Sequence, residues 1–454
     1  MGACLSKIGP GWQSMSRSSS TSAVPKEESF EGPTQRPANF QERLASYRST
    51  RTGPGEMTTT TSQPTDQKKI INFVNAVYYP NWRVYNGQTP NNLNLDNVSH
   101  VFYAFAHLDK DGSVTLSDEH VDREILIDGT QGCVNALKVI QRDKYPALNL
   151  ILSIGGAASS ENFDGITSDE TRLQNLVTTA RELVDYLGLN GIDIDWEHPS
   201  NEVQSQQYTQ LLALLREAMP SPQYIITTAV PAGIWALKNM NLSEVSKSVD
   251  MINLMAYDFV GPFPGISESG HHAQLRCPQG GEECSVATKT SGEAAIHYLL
   301  EQGVPKGKIV LGIPLYGRSF LGATGPGQPF DGHGGLEGGV FEYKDLPIID
   351  RGKASGSESS DPDAITPCAE QFDKTRVAAW CVGPQTDEGG GFITYDNEMS
   401  VEAKARYVKE EELGGLFYWH IGFDKPKNEG SLVDVGGEVL GVGHKRSSWF
   451  ARAR

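Results

Sequence analysis

The chain is 454 residues long, 38% of its residues are hydrophobic, and its formal net charge is −17. This acidic balance argues against nucleic acid as a partner, because nucleic-acid binding needs a basic surface, and it fits a soluble protein that acts on a neutral ligand. The sequence contains no run of about 18 apolar residues, so it predicts no transmembrane helix.

Residues 1–69 are rich in Ser, Thr, Pro and Gln, so they are predicted to form a disordered tail. The tail has no apolar region of the kind found in secretory signal peptides. The expected location is therefore the cytoplasm or the cytoplasmic face of a membrane, with secretion by a non-classical route left open. Reduced thiols are expected there, whereas an oxidising compartment would allow Cys277–Cys284 or Cys368–Cys381 to pair.

From Ile70 onward, short apolar runs alternate with amphipathic stretches. Two of these stretches, 171–188 and 203–219, have the period of helices. The apolar runs give eight candidate strands: 73–79, 98–106, 148–156, 191–197, 224–230, 250–257, 308–317 and 414–420. Strands that alternate with helices indicate a parallel sheet with crossover helices.

Eight such strands favour an α/β architecture, a closed (β/α)8 TIM barrel over residues 70–430, rather than an open doubly wound sheet. An open sheet would carry a Gly-rich phosphate loop, and SIGGAASS (153–160) lacks the required spacing. Residues 318–394, between strand 7 and its helix, are too many for a structureless loop and are predicted to form a small α+β insertion. Residues 431–454 are assigned to a C-terminal tail.

The fourth candidate strand carries three acids at every second position, within LNGIDIDWEHP (189–199). Because strand side chains alternate between faces, Asp193, Asp195 and Glu197 share one face. Pro199 would stop the strand and place Glu197 nearest the C-terminal mouth of a barrel, where such folds hold catalytic residues. Acids stacked inside a barrel raise one another's pKa, which suits a general acid near neutral pH. A solvated edge strand is the alternative that this stretch alone leaves open.

This stretch and further motifs resemble glycoside hydrolase family 18, the chitinases. NGIDIDWE (190–197) matches the family pattern DGxDxDxE at all but its first position. Counterparts in the same order are SIGG (153–156), MAYD (255–258), SGHHAQL (269–275), KIVLGIPLYGRSF (308–320) and Trp419. The insertion after YGR resembles that of the deep-groove branch of the family, and the resemblance covers about residues 70–430.

The resemblance implies substrate-assisted retaining hydrolysis of β-1,4 bonds in chitin or chitooligosaccharides, without an enzyme nucleophile. Glu197 would act as general acid and then as base, Asp195 would hydrogen-bond the acetamide N–H, and Asp193 would share a proton with Asp195. Tyr257 would hold the acetamido oxygen, and Trp419 would form the floor of subsite −1. Tyr78 and Ser153 would hydrogen-bond Asp193 at the site. The other residues predicted to surround the substrate are Trp82, Phe105, Gly155, Gly156, His198, Met255, Asp258 and Arg318, and Arg318 could instead simply pair with an acid. No cofactor and no metal are implied, and a monomer is expected.

Three positions depart from the family pattern. Asn190 replaces the first Asp of the motif, Ala157 stands where many relatives have Trp, and His198 stands where many have Tyr. Asn190 keeps hydrogen-bonding capacity and is farthest from the chemistry, so activity is expected to be retained. The other two change the lining of the groove.

Two other functions stay open at this point. A chitinase-like lectin would keep the barrel and lose the acid, yet Glu197 is present. An endo-β-N-acetylglucosaminidase acting on N-linked glycans would use the same acids, but the insertion and Trp419 favour chitin.

The first residues carry a separate motif. MGACLS (1–6) matches the N-myristoylation pattern at Gly2, with Cys4 as an adjacent palmitoylation site. Two acyl chains anchor a protein stably, whereas one gives only marginal binding. The hypothesis is a chitinase tethered to the cytoplasmic face of a membrane, and the alternative is an accidental match. Initiation at Met57 would remove the motif.

Overall fold

The structure, a computed structural model, describes residues 72–278, 289–348 and 369–444. The predicted tail of residues 1–69, with the candidate acylation sites Gly2 and Cys4, lies outside these ranges. Within them, no helix is both long enough and apolar enough to cross a membrane.

Eight parallel strands form the centre of the protein and close into a barrel. They are β1 (Val74–Pro80), β2 (His100–Leu108), β3 (Asn149–Gly155), β4 (Gly191–Asp195), β5 (Ile225–Pro231), β6 (Met251–Met255), β7 (Ile309–Pro314) and β8 (Gly415–Trp419). Each strand pairs with the next along the chain, and β1 also pairs with β8, with Val74 opposite Gly415. The predicted (β/α)8 barrel is confirmed, because all eight predicted strands are present in one parallel ring.

Helices follow the strands, as the sequence pattern predicts. Within the described ranges they are α1 (Cys133–Asp143), α2 (Ser160–Thr167), α3 (Glu170–Leu187), α4 (Glu202–Ala218), α5 (Ile234–Leu237), α6 (Leu242–Ser248), α7 (Gly292–Glu301), α8 (Glu398–Glu410) and α9 (Leu432–Leu440). The two long amphipathic stretches form α3 and α4. Asp169 begins α3 by accepting a hydrogen bond from the Arg172 backbone N–H, and Gly188 ends it in the left-handed conformation at φ 64°.

A five-stranded antiparallel sheet occupies the segment between β7 and α8. In spatial order its strands are Val340–Glu342, Tyr316–Phe320, Phe392–Tyr395, Ala378–Val382 and Gln371–Asp373. The predicted insertion is therefore present at the predicted place. In its described part, the helical content is limited to one 3-10 turn, Tyr343–Asp345. Residues 349–368 lie outside the described ranges.

The assignment of residues 431–454 to a tail is wrong for its first part, because Leu432–Leu440 form α9 and the buried residues of this helix belong to the main core. Two adjacent glycines, Gly436 and Gly437, interrupt the apolar pattern and hide the helix in the sequence. A Cβ at Gly436 would overlap the hydroxyl of Tyr418, so glycine allows α9 to approach β8 closely.

The expectation of reduced thiols is wrong for Cys381, which is disulfide-bonded in the structure. Cys133 is a free thiol, fully buried in the core. The expectation was based on the absence of a signal peptide. That absence says nothing about whether two cysteines lie close enough to form a disulfide. The candidate partners Cys368 and Cys284 lie outside the described residues.

Candidate active site

The predicted catalytic carboxyl groups lie along β4 and the loop that follows it. β4 ends at Asp195, two residues earlier than predicted, where its pairing with β3 stops. Glu197 lies beyond the strand, and its backbone N–H donates to Ser160 Oγ at 2.8 Å. The alternation along the strand places Asp193 and Asp195 inside the barrel and Glu197 at its mouth.

Asp193 is fully buried and is held by side chains from four other strands. Its Oδ2 accepts from the hydroxyls of Tyr78 (2.8 Å) and Ser153 (2.7 Å). Its Oδ1 accepts from the Thr227 hydroxyl (2.6 Å) and from Asn253 Nδ2 (3.3 Å). Burial raises the pKa of Asp193, and these four donors oppose the increase by stabilising the carboxylate. The predicted hydrogen bonds from Tyr78 and Ser153 are confirmed.

Asp195 lies two residues after Asp193, nearer the mouth of the barrel, and is also buried. Its Oδ1 has no hydrogen-bond partner among the described residues. Burial, followed by the charges of Glu197 and Asp193, holds the pKa of Asp195 well above its ordinary value. Asp195 is expected to share a proton with Asp193, but the described structure shows no direct hydrogen bond between the two carboxyl groups. Leaving a buried polar atom unpaired destabilises a protein, and a substrate donor would remove that penalty.

Glu197 has the electrostatic properties of a general acid. Burial raises the pKa of Glu197 to about 7, and the negative charge of Asp258 adds to the increase, while a hydrogen bond from the Ala157 backbone opposes it. A carboxyl group with this pKa is largely protonated in mildly acidic solution and still transfers its proton readily.

Asp258 follows β6 and has a left-handed backbone conformation, with φ 59°. Its carboxylate is surrounded by the side chains of Arg318, Tyr316 and His272. Arg318 makes a bidentate ion pair with it, with Nε to Oδ1 at 2.8 Å and Nη2 to Oδ2 at 2.7 Å. The Tyr316 hydroxyl donates to Oδ1 at 2.8 Å, and His272 Nδ1 lies 3.5 Å from the same oxygen. Although burial raises it, Arg318 and His272 hold the pKa of Asp258 well below its ordinary value, so the group is an anion.

Of the two roles predicted for Arg318, the structure shows the pairing with an acid and not the substrate-binding position. Its side chain is 1% exposed, and its Nη1 donates to the Gly338 carbonyl at 2.5 Å. The guanidinium therefore orients Asp258 and ties the barrel to the insertion sheet, and a sugar cannot reach it in this conformation.

We expect the Asp258→Asn variant to shift the high-pH limb of activity to lower pH. The substitution removes the negative charge that raises the pKa of Glu197 and leaves the Arg318 cation unpaired nearby, and both changes lower that pKa. Because Glu197 must be protonated to donate, activity is lost as pH rises through its pKa, about 7 in the native protein. The measurement is kcat/KM against pH for both proteins. Asp164→Asn, at an exposed acid on α2, is the control, and an unmoved limb in Asp258→Asn would contradict the assignment.

Three aromatic rings form a row beside the carboxyl groups. Phe105 lies between Trp419 and Trp82, with ring centroids 5.7 and 6.3 Å apart and interplanar angles of 27° and 30°. Gly155 and Gly156 both have positive φ, and a Cβ at either would overlap the adjacent backbone or the Phe105 ring. These two glycines therefore permit close packing under the site. Phe105 and Trp419 also line a pocket, where aromatic rings can pack against the apolar face of a pyranose.

Two adjoining pockets meet at Glu197. The Trp419 pocket is lined by Tyr78, Phe105, Ala157, Asp195, Glu197, Ala229, Met255, Tyr257, Asp258 and Trp419. The Trp235 pocket is lined by Glu197, His198, Pro231, Ala232, Gly233, Trp235, Met255, Tyr257, Asp258, Phe259 and Thr290. An extended ligand that occupies both pockets would pass Glu197 where they join. In the described ranges, no group of three or more His, Cys, Asp and Glu side chains is placed to hold a metal ion.

Asn190, the departure at the first position of the acid motif, lies just before β4, at the end of the barrel opposite the mouth. Its Oδ1 accepts from the Leu150 backbone N–H (2.9 Å) and from Gln141 Nε2 (3.1 Å). The amide therefore joins β4 to β3 and α1. This contact is remote from Glu197, and retained activity stays a prediction.

Sequence reasoning missed two of the four groups that hold Asp193. Thr227 and Asn253 are polar residues in otherwise apolar strands, and each lies two positions before a pocket-lining residue, Ala229 and Met255. Because strand side chains repeat with period 2, Asn253 shares the inner face with Met255, which was already predicted for the site, and this was the available signal; Thr227 had no such signal. Tyr316 and His272 were also missed as partners of Asp258, since their contacts depend on how the insertion packs.

Known proteins are similar to this chain in both sequence and fold. Residues 74–424 match the sequence model of the glycosyl hydrolases family 18. Chitinase 1 of Aphanocladium album is 31% identical over 396 residues, which cover 83% of this chain and 87% of that protein. Sporulation-specific chitinase 2 of Saccharomyces cerevisiae is 31% identical over 413 residues, covering 81% and 78% of the two chains. The solved class V chitinase from Nicotiana tobaccum in complex with NAG4 is 25% identical and superimposes with a TM-score of 0.67, covering 82% of this chain and all of that one. The chain therefore belongs to the glycosyl hydrolases of family 18.

Proposed function

We propose that the protein is a chitinase that hydrolyses β-1,4 bonds between N-acetylglucosamine units by substrate-assisted retaining catalysis. The observation that carries the proposal is that two groups line the same pocket beside Trp419. One is Glu197, whose pKa is about 7, and the other is a buried Asp195 oxygen that has no hydrogen-bond partner among the described residues. The chitinase relatives, similar over most of their length, support the same substrate class.

In the first step, the acetamido carbonyl oxygen of the sugar in the Trp419 pocket attacks its own anomeric carbon. Glu197 gives its proton to the glycosidic oxygen as the bond to the leaving sugar breaks. The resulting oxazolinium cation carries its charge next to Asp195, whose unpaired oxygen accepts from the acetamido N–H. Burial and the charge of Asp195 hold the pKa of Tyr257 well above its ordinary value, so its hydroxyl stays protonated and can donate to the acetamido oxygen.

In the second step, the Glu197 carboxylate takes a proton from water, and the oxygen of that water attacks the anomeric carbon. The acetamido group is released unchanged, Glu197 is protonated again, and the product keeps the β configuration after two inversions. The four donors around Asp193 keep this aspartate in place while the charge of Asp195 varies.

We expect chitotetraose to be cleaved and its fully deacetylated counterpart to react more than about 1,000-fold more slowly, because an intramolecular nucleophile supplies an effective concentration of this order or above. The measurement is the rate of product formation by chromatography, with ¹H NMR to identify the first anomer released from chitotetraose. Comparable rates on the two tetramers, or initial release of the α anomer, would refute the mechanism.

We also propose that Gly2 is myristoylated and Cys4 palmitoylated, so that the enzyme is held at the cytoplasmic face of a membrane. The proposal is supported by the MGACLS motif, which lies outside the described residues. We expect the full chain, expressed in eukaryotic cells, to sediment with membranes and Gly2→Ala to move to the soluble fraction, whereas Ala3→Ser should not move. An identical distribution of wild type and Gly2→Ala would disprove acylation.

A further inference from the structure

The Trp235 pocket contains a histidine whose ring makes no hydrogen bond to the described residues. His198 follows Glu197 directly, and its ring meets the Trp235 indole edge-on, with centroids 6.1 Å apart and an interplanar angle of 70°. Nδ1 is buried and unpaired among the described residues. Nε2, unlike Nδ1, is not a buried unpaired atom, and it makes no hydrogen bond to the described residues. It is therefore the nitrogen that a ligand in the pocket can reach.

The imidazole is neutral, and we assign its proton to Nδ1, the buried nitrogen of the ring. Burial lowers the pKa of His198 to about 3, and the backbone carbonyl of Trp196 opposes this decrease by attracting a proton to the ring, although no hydrogen bond of normal geometry forms. A proton on Nδ1 leaves a lone pair on Nε2, which is then an acceptor. Neutrality also matters to the acid beside it, because an imidazolium cation next to Glu197 would lower the pKa of the general acid.

The two pockets have different chemistry around the same acid. The Trp419 pocket contains Asp195, whose unpaired oxygen suits an acetamido group, and this pocket takes the sugar that reacts. The leaving sugar must then lie on the other side of Glu197, in the Trp235 pocket. A pyranose has apolar faces and hydroxyl donors at its edge. The Trp235 indole, 52% exposed, offers a surface for the face, and His198 Nε2 offers an acceptor for the edge.

We propose that His198 Nε2 accepts a hydrogen bond from a hydroxyl of the leaving sugar, which makes His198 a specificity-determining residue for the leaving group. The inference rests on the proposed chitinase function and adds a preference to it. The enzyme favours leaving groups that are sugars over leaving groups that lack hydroxyl donors at this position.

The test compares two substrates that share the reacting sugars and differ in the leaving group. Chitotetraose places a sugar in the Trp235 pocket, whereas 4-methylumbelliferyl chitobioside places there an aromatic group without a hydroxyl donor. We expect His198→Phe to lower kcat/KM for chitotetraose by about tenfold more than for the aryl substrate, the effect of one lost hydrogen bond. His198→Gln should restore most of the loss, since its amide oxygen reaches the place of Nε2, and the shorter His198→Asn should not.

Turnover of the aryl substrate shows that each variant is folded, so a collapsed variant is recognised. An equal loss on both substrates in His198→Phe, or equal restoration by Asn and Gln, would overturn the role of Nε2. Failure of the wild-type protein to cleave either substrate would instead overturn the proposed function.

Discussion

Replacing Glu197 with Gln is expected to reduce hydrolysis of chitotetraose by about 100- to 10,000-fold, the range that a positioned general acid contributes. Glutamine has nearly the same shape and hydrogen-bonding reach but no proton to give at the glycosidic oxygen. Binding should persist, because Trp419, Asp195 and Tyr257 keep their positions in the pocket. The dissociation constant of chitotetraose, measured by calorimetry, should change only a few-fold.

The matched control for this substitution is Glu202→Gln, an exposed acid at the start of α4 that lines neither pocket meeting at Glu197. It should retain wild-type turnover. Turnover in Glu197→Gln comparable to that of the control would mean that another group donates the proton. A wild-type protein that binds chitotetraose without cleaving it would point to the lectin function instead.

The second large effect is expected on stability. Arg318→Met should lower the free energy of unfolding by about 3–5 kcal/mol, as when one partner of a buried ion pair is removed. Asp258, whose side chain is 11% exposed, would keep its negative charge and, among the described residues, its contacts with Tyr316 and His272. The measurement is urea-induced unfolding followed by tryptophan fluorescence.

Two further variants separate the ion pair from the loss of side-chain volume. Arg318→Met combined with Asp258→Asn should be more stable than Arg318→Met alone, because the uncompensated charge is gone. Arg406→Met removes the partner of Glu402 in a pair on α8 whose arginine side chain is 64% exposed, and its effect should be much smaller. Similar unfolding midpoints for Arg318→Met and Arg406→Met would show that the buried pair does not stabilise the fold as argued.

Strand periodicity was sufficient to predict the barrel and the acid ladder from the sequence. Parallel strands buried on both faces give apolar runs, and an acid that recurs at every second position in such a run has few structural explanations. The same argument could not give the end of β4, because Glu197 continues the alternation although the backbone has left the sheet at Asp195. Periodicity follows the side chains, and a strand ends where its hydrogen bonds do.

Groups that reach the site from distant parts of the chain were not predictable in this way. The partners of Asp258 are distant from it in sequence. His272 lies in the segment between β6 and α7, and Tyr316 and Arg318 lie on the first strand of the insertion sheet. Nothing in their local pattern shows which acid they meet. The missed helix α9 has a different cause, because Gly436 lowers helix propensity at the point where close packing on β8 requires it. Local preference and tertiary contact disagree there, and the contact decides.

The pairing of β1 with β8 also determines when the enzyme can first work during its own synthesis. β1 is made early and β8 only near residue 419, so a nascent chain carries the carboxyl groups of β4 long before the ring can close. Until then the barrel is open between β1 and β7, and the Trp419 ring is absent from the pocket. We therefore expect a chain that ends before β8 to be inactive towards chitin, because it lacks both the strand that closes the barrel and the Trp419 ring.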